Sequence, residues 1–258
     1  RRLRQGLRYA AQPARRRIAE VCMSAPVRVL IHGASGRMGQ TLMRLAAERE
    51  DLSIVAAVAP PSAEAALLGQ PFHPLDRIGH VPDFDVAIDF SLPAGFDAIL
   101  GLSAERGAAL VSGTTGLAAQ QRATLHSVSN RIPVIWAANF SLGVAVLEDL
   151  VERAAATLHA WDCDIVESHH TRKLDAPSGT ALALGAAAQR NGAEPRYASL
   201  RAGDIVGEHL VQFAGQGERI ELIHRATSRD IFARGALHAA VRLAGRAPGE
   251  YRLRDLLD

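Results

Sequence analysis

The stretch that decides the fold is Val27-Arg-Val-Leu-Ile-His32, followed at once by Gly33-Ala-Ser-Gly-Arg-Met-Gly39. The first six residues are a short apolar and β-branched run, which predicts a buried strand. Met38, Leu42 and Leu45 then recur at helical spacing and predict a helix. Strand, glycine turn and helix in this order indicate a nucleotide-binding unit, because glycines let the backbone approach a pyrophosphate at the helix N-terminus. The spacing G-x-x-G-x-x-G also fits a tight turn without a ligand, so that alternative stays open.

Strand and helix patterns continue to alternate up to residue 140. Apolar runs predict strands over 85–90, 109–111 and 133–140, and helical spacing predicts helices over 94–106 and 117–130. Such alternation predicts an α/β fold with a Rossmann-like, doubly wound parallel sheet. Ligands bind such sheets at the carboxyl ends of strands. Three segments are therefore expected to line one crevice: Ser91-Leu-Pro93, Gly113-Thr-Thr115 and Ala138-Asn-Phe140.

The predicted second strand, Ile54-Val-Ala-Ala-Val-Ala59, ends without an acidic residue. A dinucleotide fold usually places an Asp or Glu there to bind the adenosine ribose hydroxyls. This chain has Ala59-Pro-Pro61 instead, with no Arg or Lys beside it for a 2′-phosphate. The sequence therefore leaves the choice between NADH and NADPH open.

The pattern changes after residue 140. Helical spacing predicts a long helix over 142–159 and another over 177–190, and strands linked by short turns are predicted over 161–170, 197–201, 207–214 and 219–227. Strands joined by turns predict a second α+β domain with a mixed or antiparallel sheet. A last helix over 231–243 and the tail 253–257 are expected to return to the first domain. The predicted domains are 25–139 with 234–258, which bind the dinucleotide, and 140–233, which bind substrate and mediate oligomerisation.

The polar segment from Glu167 to Ala181 contains groups that can bind an anion or transfer a proton. Pro177 suits the first position of a helix, which would leave the N–H groups of Ser178, Gly179 and Thr180 to bind a carboxylate or phosphate. Lys173 adds a positive charge, and a histidine can transfer a proton near neutral pH. The alternative is an ordinary capped helix after a solvated loop. His169 and His170 are adjacent, so on a strand they point to opposite faces, and we predict no metal site.

Composition excludes several classes of protein. The 258 residues are 48% apolar with a net charge of +2, which fits one or two globular domains. The longest apolar runs are much shorter than a membrane span, so no membrane partner is expected. The two cysteines, Cys22 and Cys163, form neither a disulfide framework nor zinc-site spacing, which favours a cytoplasmic location.

Residues 1–24 differ from the rest of the chain, being rich in arginine with no acid before Glu20. A transit peptide is one interpretation, and a basic arm for nucleic acid is another, although nothing downstream supports a nucleic-acid partner. The interpretation we favour is an upstream extension, with Met23 as the true start. We expect this basic leader to lie outside the fold, and whether residues 1–22 belong to the native protein stays open.

Three segments together resemble the dihydrodipicolinate reductase family, also called 4-hydroxy-tetrahydrodipicolinate reductase. They are the glycine turn at 33–39, Gly113-Thr-Thr-Gly116 with Ala137-Ala-Asn-Phe-Ser141, and His169-His-x-x-Lys173 with Asp175-Ala-Pro-Ser-Gly-Thr180. The resemblance runs from about Val27 to the C-terminus. It implies reduction of a small cyclic dicarboxylate by NADH or NADPH on the diaminopimelate route to lysine, in a homotetramer.

The resemblance also implies roles for individual residues. His169 would donate or accept a proton, and Lys173 would be a second proton donor. His170, Gly179 and Thr180 would hold the substrate carboxylates. The residues implied to line the cofactor site are Gly33, Ala34, Ser35, Gly36, Arg37, Met38, Gly113, Thr114, Thr115, Ala137, Ala138, Asn139 and Phe140.

Two departures from the family pattern keep other hypotheses open. Ala59 replaces the expected acid, and the segment 181–200 is shorter than is usual in the family, which bears on assembly. A related dehydrogenase of an amino or imino dicarboxylate is the second enzyme hypothesis. A non-catalytic dinucleotide sensor is the third, although binding alone does not require the proton donors His169 and Lys173.

Overall fold

The computed structural model describes residues 25–67 and 69–257. Its strands are β1 (Val27–His32), β2 (Leu52–Ala59), β3 (Phe72–Pro74), β4 (Val86–Asp89), β5 (Ala109–Ser112), β6 (Pro133–Trp136), β7 (Asp162–His169), β8 (Pro195–Arg201), β9 (Gly207–Gly215), β10 (Glu218–Ala226) and β11 (Gly249–Tyr251). Its α-helices are α1 (Arg37–Ala46), α2 (Pro93–Arg106), α3 (Ala119–Val128), α4 (Leu142–Leu158), α5 (Gly179–Gln189) and α6 (Asp230–Leu243). Short 3₁₀ helices cover Pro61–Leu67, Leu75–His80 and Leu253–Leu256.

The first sheet has seven strands in the order β11-β6-β5-β4-β1-β2-β3. Every neighbouring pair is parallel. Strand order reverses between β1 and β4, which opens a crevice at their carboxyl ends. The predicted α/β class with a Rossmann-like parallel sheet is confirmed.

Helices cover both faces of this sheet because successive strand side chains point to opposite sides. On one side Val29 and Ile31 of β1 join a core that includes residues of α1 and α6. On the other side Leu30 joins a core built with α2 and α3. A strand that is buried on both faces has a nearly continuous apolar sequence, and for this reason the strand at 27–32 could be predicted.

The second sheet has four strands in the order β10-β9-β7-β8. β7 pairs in parallel with β8, and the two are connected through α5, whereas β7–β9 and β9–β10 are antiparallel. The predicted mixed sheet is therefore confirmed. On its inner face Ile165, Val211 and Phe213 pack into a third core with residues of α4 and α5.

The C-terminal segment returns to the first sheet. α6 packs against α1, β4 and β5, and β11 extends the sheet beside β6. The domain limits drawn at 139/140 and 233/234 stay a prediction. Within the described residues, none of the helices has the length and apolar character needed to span a membrane.

Sequence patterns missed two strands and misplaced one end of two other elements. The edge strands β3 and β11 were not predicted, because each has only three residues. The strand predicted over 133–140 ends at Trp136, so that residues 137–140 form a loop. The helix predicted from Pro177 begins at Gly179, because Ser178 caps it.

Candidate active site

Two adjoining cavities lie between the carboxyl ends of the first sheet and the end of β7. Their volumes are about 550 and 460 Å³. Both are lined by the same five residues: Ala138, Asn139, His169, Lys173 and Thr180. The loop after β6 and the loop after β7 therefore face each other across one space, which brings together the two halves of the predicted site.

His169 ends β7, and Glu167 lies two residues before it on the same buried face. The Nδ1 of His169 donates a hydrogen bond to Oε2 of Glu167. An ionised carboxylate only accepts, so this bond places a proton on Nδ1. Nε2 is left to exchange a proton with a bound molecule, since His169 lines both cavities.

Arg201 on β8 holds the same carboxylate from the neighbouring strand. Its Nη2 donates to Oε1 of Glu167 at 2.8 Å and its Nη1 donates to Oε2 at 3.0 Å. Burial alone would raise the pKa of Glu167, but hydrogen bonds from Arg201, Ser199 and His169 outweigh it and lower that pKa to about 2. Glu167 thus stays ionised at neutral pH and fixes the orientation of the imidazole ring.

Lys173 enters the cavities from the loop that follows His170. Its Nζ donates to both carboxylate oxygens of Asp175, at 2.8 Å each. The hydrogen bond from Lys173 is the main cause that lowers the pKa of Asp175. Because the Lys173 side chain is 21% exposed, its ammonium group can be reached by a ligand in the cavity.

The N-terminus of α5 closes one side of the site. Ser178 is the N-cap, and its Oγ accepts from Ala181 N at 3.2 Å. The backbone N–H of Ser178 donates to Glu167 Oε1 at 3.3 Å, so the expectation that this N–H is free was wrong. Among the described residues no acceptor lies within hydrogen-bond reach of the N–H groups of Gly179 and Thr180. These two groups are available to an anion.

Asn139 connects the two halves of the site. Its Nδ2 donates to Oγ1 of Thr180 at 2.9 Å, and its Oδ1 accepts from Ser141 N at 2.8 Å. The amide is therefore fixed at both ends by the first turns of α5 and α4. This arrangement leaves the hydroxyl hydrogen of Thr180 free to donate to a ligand.

His170 lies just beyond the end of β7 and lines the second cavity together with His169, so the prediction that the two rings point to opposite faces of a strand stays a prediction. Its Nε2 accepts from Nη2 of Arg229 at 3.2 Å. Burial and the nearby positive charges, foremost Arg229, lower the pKa of His170. His170 and Arg229 line the second cavity together with Arg37 and Lys173, which makes that cavity strongly basic.

The glycine turn fits a nucleotide on steric grounds. A Cβ at Gly33, where φ is +79°, would lie 2.7 Å from the carbonyl oxygen of Phe90. A Cβ at Gly39 would lie 2.4 Å from the carbonyl oxygen of Gly33. α1 starts after Gly36 with no side-chain cap and no acid in its first turn, so its N-terminus presents uncapped N–H groups.

A third cavity, of about 420 Å³, lies beside the glycine turn. It is lined by the turn, by Val58, Ala59 and Pro60 at the end of β2, and by the segment that follows β4. Ala59 is 2% exposed. Apolar residues thus occupy the place where an acid would bind a ribose.

Most of the predicted site residues line one of the three cavities. They are Gly33, Ser35, Gly36, Arg37, Met38, Thr115, Ala137, Ala138, Asn139, Phe140, His169, His170, Lys173, Gly179 and Thr180. Ala34, Gly113 and Thr114 line none of them. Thr114 instead donates from Oγ1 to Asp89 at 2.8 Å, and Ala34 donates its N–H to the carbonyl of Val58.

Sequence reasoning assigned no role to several residues that shape the site: Glu167, Asp175, Arg201, Arg229 and Asp89. Glu167 had a usable signal, because residues two apart on a strand share a face and it is two residues from His169. Arg201 opens the segment Arg201 to His209, which is similar to a further segment of the family, whereas Arg229 had no signal because it reaches the site only through helix packing. The described residues contain no group of three or more His, Cys, Asp or Glu side chains arranged to hold a metal ion.

The chain matches one family along nearly the whole described region. Residues 27–140 match the family described as dihydrodipicolinate reductase, N-terminus, and residues 143–257 match dihydrodipicolinate reductase, C-terminus. These matches confirm the resemblance seen in the sequence.

Individual relatives agree. The 4-hydroxy-tetrahydrodipicolinate reductase of Stenotrophomonas maltophilia (strain R551-3) is 69% identical over 234 residues, covering 90% of this chain and 98% of the relative. That of Xylella fastidiosa (strain 9a5c) is 58% identical over 236 residues, covering 91% and 100%. The solved structure of dipicolinate-bound dihydrodipicolinate reductase from Paenisporosarcina sp. TG-14 shares the fold, with a TM-score of 0.72 at 22% identity and coverage of 88% and 97%. This chain belongs to the dihydrodipicolinate reductase family.

Proposed function

We propose that this protein uses NADH or NADPH to reduce 4-hydroxy-tetrahydrodipicolinate to tetrahydrodipicolinate on the diaminopimelate route to lysine. The reaction adds a hydride and a proton to the substrate and releases its hydroxyl group as water. The observation that carries the proposal is the placement of His169 and Lys173 in cavities that also contain the open N-terminus of α5. Relatives that are 69% and 58% identical bear the name of this activity.

A dicarboxylate substrate fits the charges of the site. The N–H groups of Gly179 and Thr180 and the hydroxyl of Thr180 would bind one carboxylate. His170 and Arg229 line the second cavity together with Lys173 and would hold the second carboxylate. A structure of a relative carries dipicolinate, which supports a small dicarboxylate as the ligand.

His169 and Lys173 would handle the protons. His169 has its Nδ1 proton held by Glu167, so its Nε2 would give or take a proton at the substrate. Lys173 would be a second proton donor, which becomes free to act when the substrate displaces its contact with Asp175; where it donates, His169 takes up a proton, so that the net reaction consumes one. A positioned proton donor typically contributes about 10²–10⁴-fold to a rate.

The residues of the first domain would hold the coenzyme. The uncapped N-terminus of α1 would bind the pyrophosphate, and the loop at 137–140 would hold the nicotinamide against the substrate. When bound, the reduced nicotinamide supplies the hydride. Ala59 neither binds a ribose hydroxyl nor pairs with a 2′-phosphate, so we propose that both coenzymes are accepted.

We propose a cytoplasmic homotetramer. The outer face of the second sheet carries a row of apolar side chains across all four strands: Ala198, Val166, Leu210 and Ile223. Leu200 beside this row is 55% exposed and Ile223 is 43% exposed. Contact between two such faces would bury the row. Few cysteines, one of them the buried Cys163, fit a reducing compartment.

One assay tests the activity. The purified protein is mixed with the product of dihydrodipicolinate synthase, and loss of the reduced coenzyme's near-ultraviolet absorbance is followed with NADH and with NADPH. We expect turnover with both. Coenzyme binding without turnover would favour the dinucleotide sensor, and turnover only with amino dicarboxylates would favour a related dehydrogenase.

Assembly is tested separately. Leu210→Asp places a charge in the centre of the outer row, and sedimentation should then show a smaller species than the wild-type tetramer. Thr124→Asp, on an exposed position of α3, should leave the tetramer intact. A wild-type monomer would contradict the proposal.

A further inference from the structure

His32 and Asp89 form a buried pair at the point where the strand order of the first sheet reverses. His32 ends β1 and is 2% exposed, and Asp89 ends the neighbouring strand β4 and is fully buried. The Nδ1 of His32 donates to Oδ1 of Asp89 at 2.9 Å. Neither residue belongs to the proton-transfer machinery around His169.

Both carboxylate oxygens of Asp89 accept hydrogen bonds, and these bonds determine which nitrogen of the His32 ring carries a proton. Its Oδ1 also accepts from Ser91 N at 3.1 Å, and its Oδ2 accepts from Ser112 Oγ and Thr114 Oγ1 at 2.8 Å each. Burial raises the pKa of Asp89, but the hydrogen bond and charge of His32 and the bonds from the serines outweigh it, so the pKa is lowered. An ionised Asp89 requires a proton on Nδ1 of His32.

The other ring nitrogen of His32, Nε2, has no hydrogen-bond partner among the described residues. The ring lines the third cavity, next to the glycine turn and Ala59. It borders the start of α2, where a Cβ on Gly95 would lie 2.9 Å from Cε1 and 3.4 Å from Nε2. Of the described residues that line this cavity, His32 alone has an ionisable side chain.

Nε2 makes no hydrogen bond within the described residues although its ring lines a cavity, and stability alone does not require a His–Asp pair where apolar residues would pack. The cavity lies at the end of β2, where a dinucleotide fold places the adenosine ribose. We propose that His32 is a coenzyme-binding residue, whose Nε2 hydrogen-bonds an oxygen of the adenosine half of NADH or NADPH. Asp89 is its positioning residue. The inference rests on the proposed function and adds the polar contact that Ala59 does not provide.

Two substitutions separate binding from structure. In His32→Asn the side-chain amide lies near the place of Nδ1 and can still donate to Asp89, but Nε2 is lost. In His32→Gln the amide reaches toward the place of Nε2, and the bond to Asp89 is lost. His126→Asn, at an exposed ring on α3, is the matched control.

Fluorescence titration in the absence of substrate gives the Kd for NADH, NADPH, AMP and nicotinamide mononucleotide. For His32→Asn we expect the Kd of NADH, NADPH and AMP to rise roughly tenfold, with nicotinamide mononucleotide and the melting temperature unchanged. His32→Gln should retain more affinity for AMP and melt at a lower temperature. An unchanged Kd in His32→Asn, or a loss limited to nicotinamide mononucleotide, would overturn the inference.

A measurement on the wild-type protein tests the inference even if a variant does not fold. In a ¹⁵N-histidine NMR titration with AMP, the Nε2 resonance of His32 should shift, while the resonances of His126 stay constant. No shift at saturating AMP would also overturn the inference. If the wild-type protein binds neither NADH nor NADPH, the proposed function fails as well. If the wild-type protein binds them and the Kd of His32→Asn is unchanged, only this inference fails.

Discussion

Glu167 and His169 lie on the same buried face of β7, and the Nδ1 of His169 donates a hydrogen bond to the Glu167 carboxylate. Arg201 from the next strand binds both oxygens of the same carboxylate. The imidazole that faces the cavity is therefore held from behind by a carboxylate that is itself held by a guanidinium. This relationship gives the proposed proton donor a fixed tautomer and orientation.

Glu167→Gln should destabilise the protein in a pH-dependent way. The folded pKa of Glu167 is about 2, below its ordinary value of 4.5, so its stabilising effect is present above pH 4.5 and is lost as pH falls toward 2. The free energy of unfolding in urea should fall by roughly 3 kcal/mol at pH 7, and the difference from wild type should shrink below pH 4.5. Glu208→Gln removes an exposed partner of Arg225 and should cost less than about 1 kcal/mol. Equal effects would contradict the role of Glu167.

His209 should make the protein sensitive to mild acid. Burial, followed by the charge of His169, lowers its pKa to about 4, and its Nε2 contacts Ser178 Oγ at 3.2 Å. Between pH 6.5 and 4 the unfolded chain binds more protons at this residue, so stability falls as pH drops through that range. His209→Gln should flatten the decline in urea-unfolding free energy between pH 7 and 5. The exposed His126→Gln should leave the decline as it is, and an unchanged slope in His209→Gln would refute the prediction.

Lys173→Ala should separate chemistry from coenzyme binding. The ammonium group faces the substrate cavities from the second domain, so kcat should fall by about 10²-fold or more. The Kd of NADH, measured by fluorescence, should stay near the wild-type value. Arg172→Ala removes the adjacent exposed cation and should leave kcat within about twofold. Parallel losses of kcat and NADH affinity in Lys173→Ala would mean that the lysine is structural.

Thr180→Val should weaken substrate binding. It removes the hydroxyl that Asn139 orients and that is free to donate to a carboxylate. The KM for substrate should rise about tenfold, as expected for a lost hydrogen bond to a charged group, while the KM for coenzyme stays constant. Thr124→Val, which loses a hydroxyl bonded to Gln120 O on the exposed side of α3, is the control. If only the KM for coenzyme rises, Thr180 contacts the coenzyme and not the substrate, and the prediction is wrong.

Gly39→Ala should disrupt the glycine turn. The new Cβ would lie 2.4 Å from the Gly33 carbonyl oxygen, so backbone must move, at a cost of about 1–3 kcal/mol. Thermal unfolding should occur at a lower temperature, and the Kd of both coenzymes should rise. Gly101→Ala, inside α2 with nothing within 4 Å of the new Cβ, should instead stabilise by about 0.5–1 kcal/mol. If the two variants have the same melting temperature, a steric clash of the Cβ is not the reason that position 39 is glycine.

Much of the fold followed from local pattern. β1 could be predicted because both of its faces are buried. The turn after it could be predicted because only glycines fit at positions 33 and 39. β3 and β11 escaped prediction because three residues carry no period, and pairing with β2 and β6 defines them. The start of α5 was misplaced by two residues, because the choice between Pro177 and Ser178 depended on the contacts of Ser178 with Glu167 and His209.

The sequence by itself determined the parallel sheet and the mixed second sheet, because periods of two and of about 3.6 residues are local properties of the chain. Only the tertiary structure decided which charges meet. Arg201 reaches Glu167 across a strand pair, Arg229 reaches His170 across 59 residues, and His32 meets Asp89 across 57 residues. Such pairs depend on register and packing between distant segments, and no local pattern carries that information.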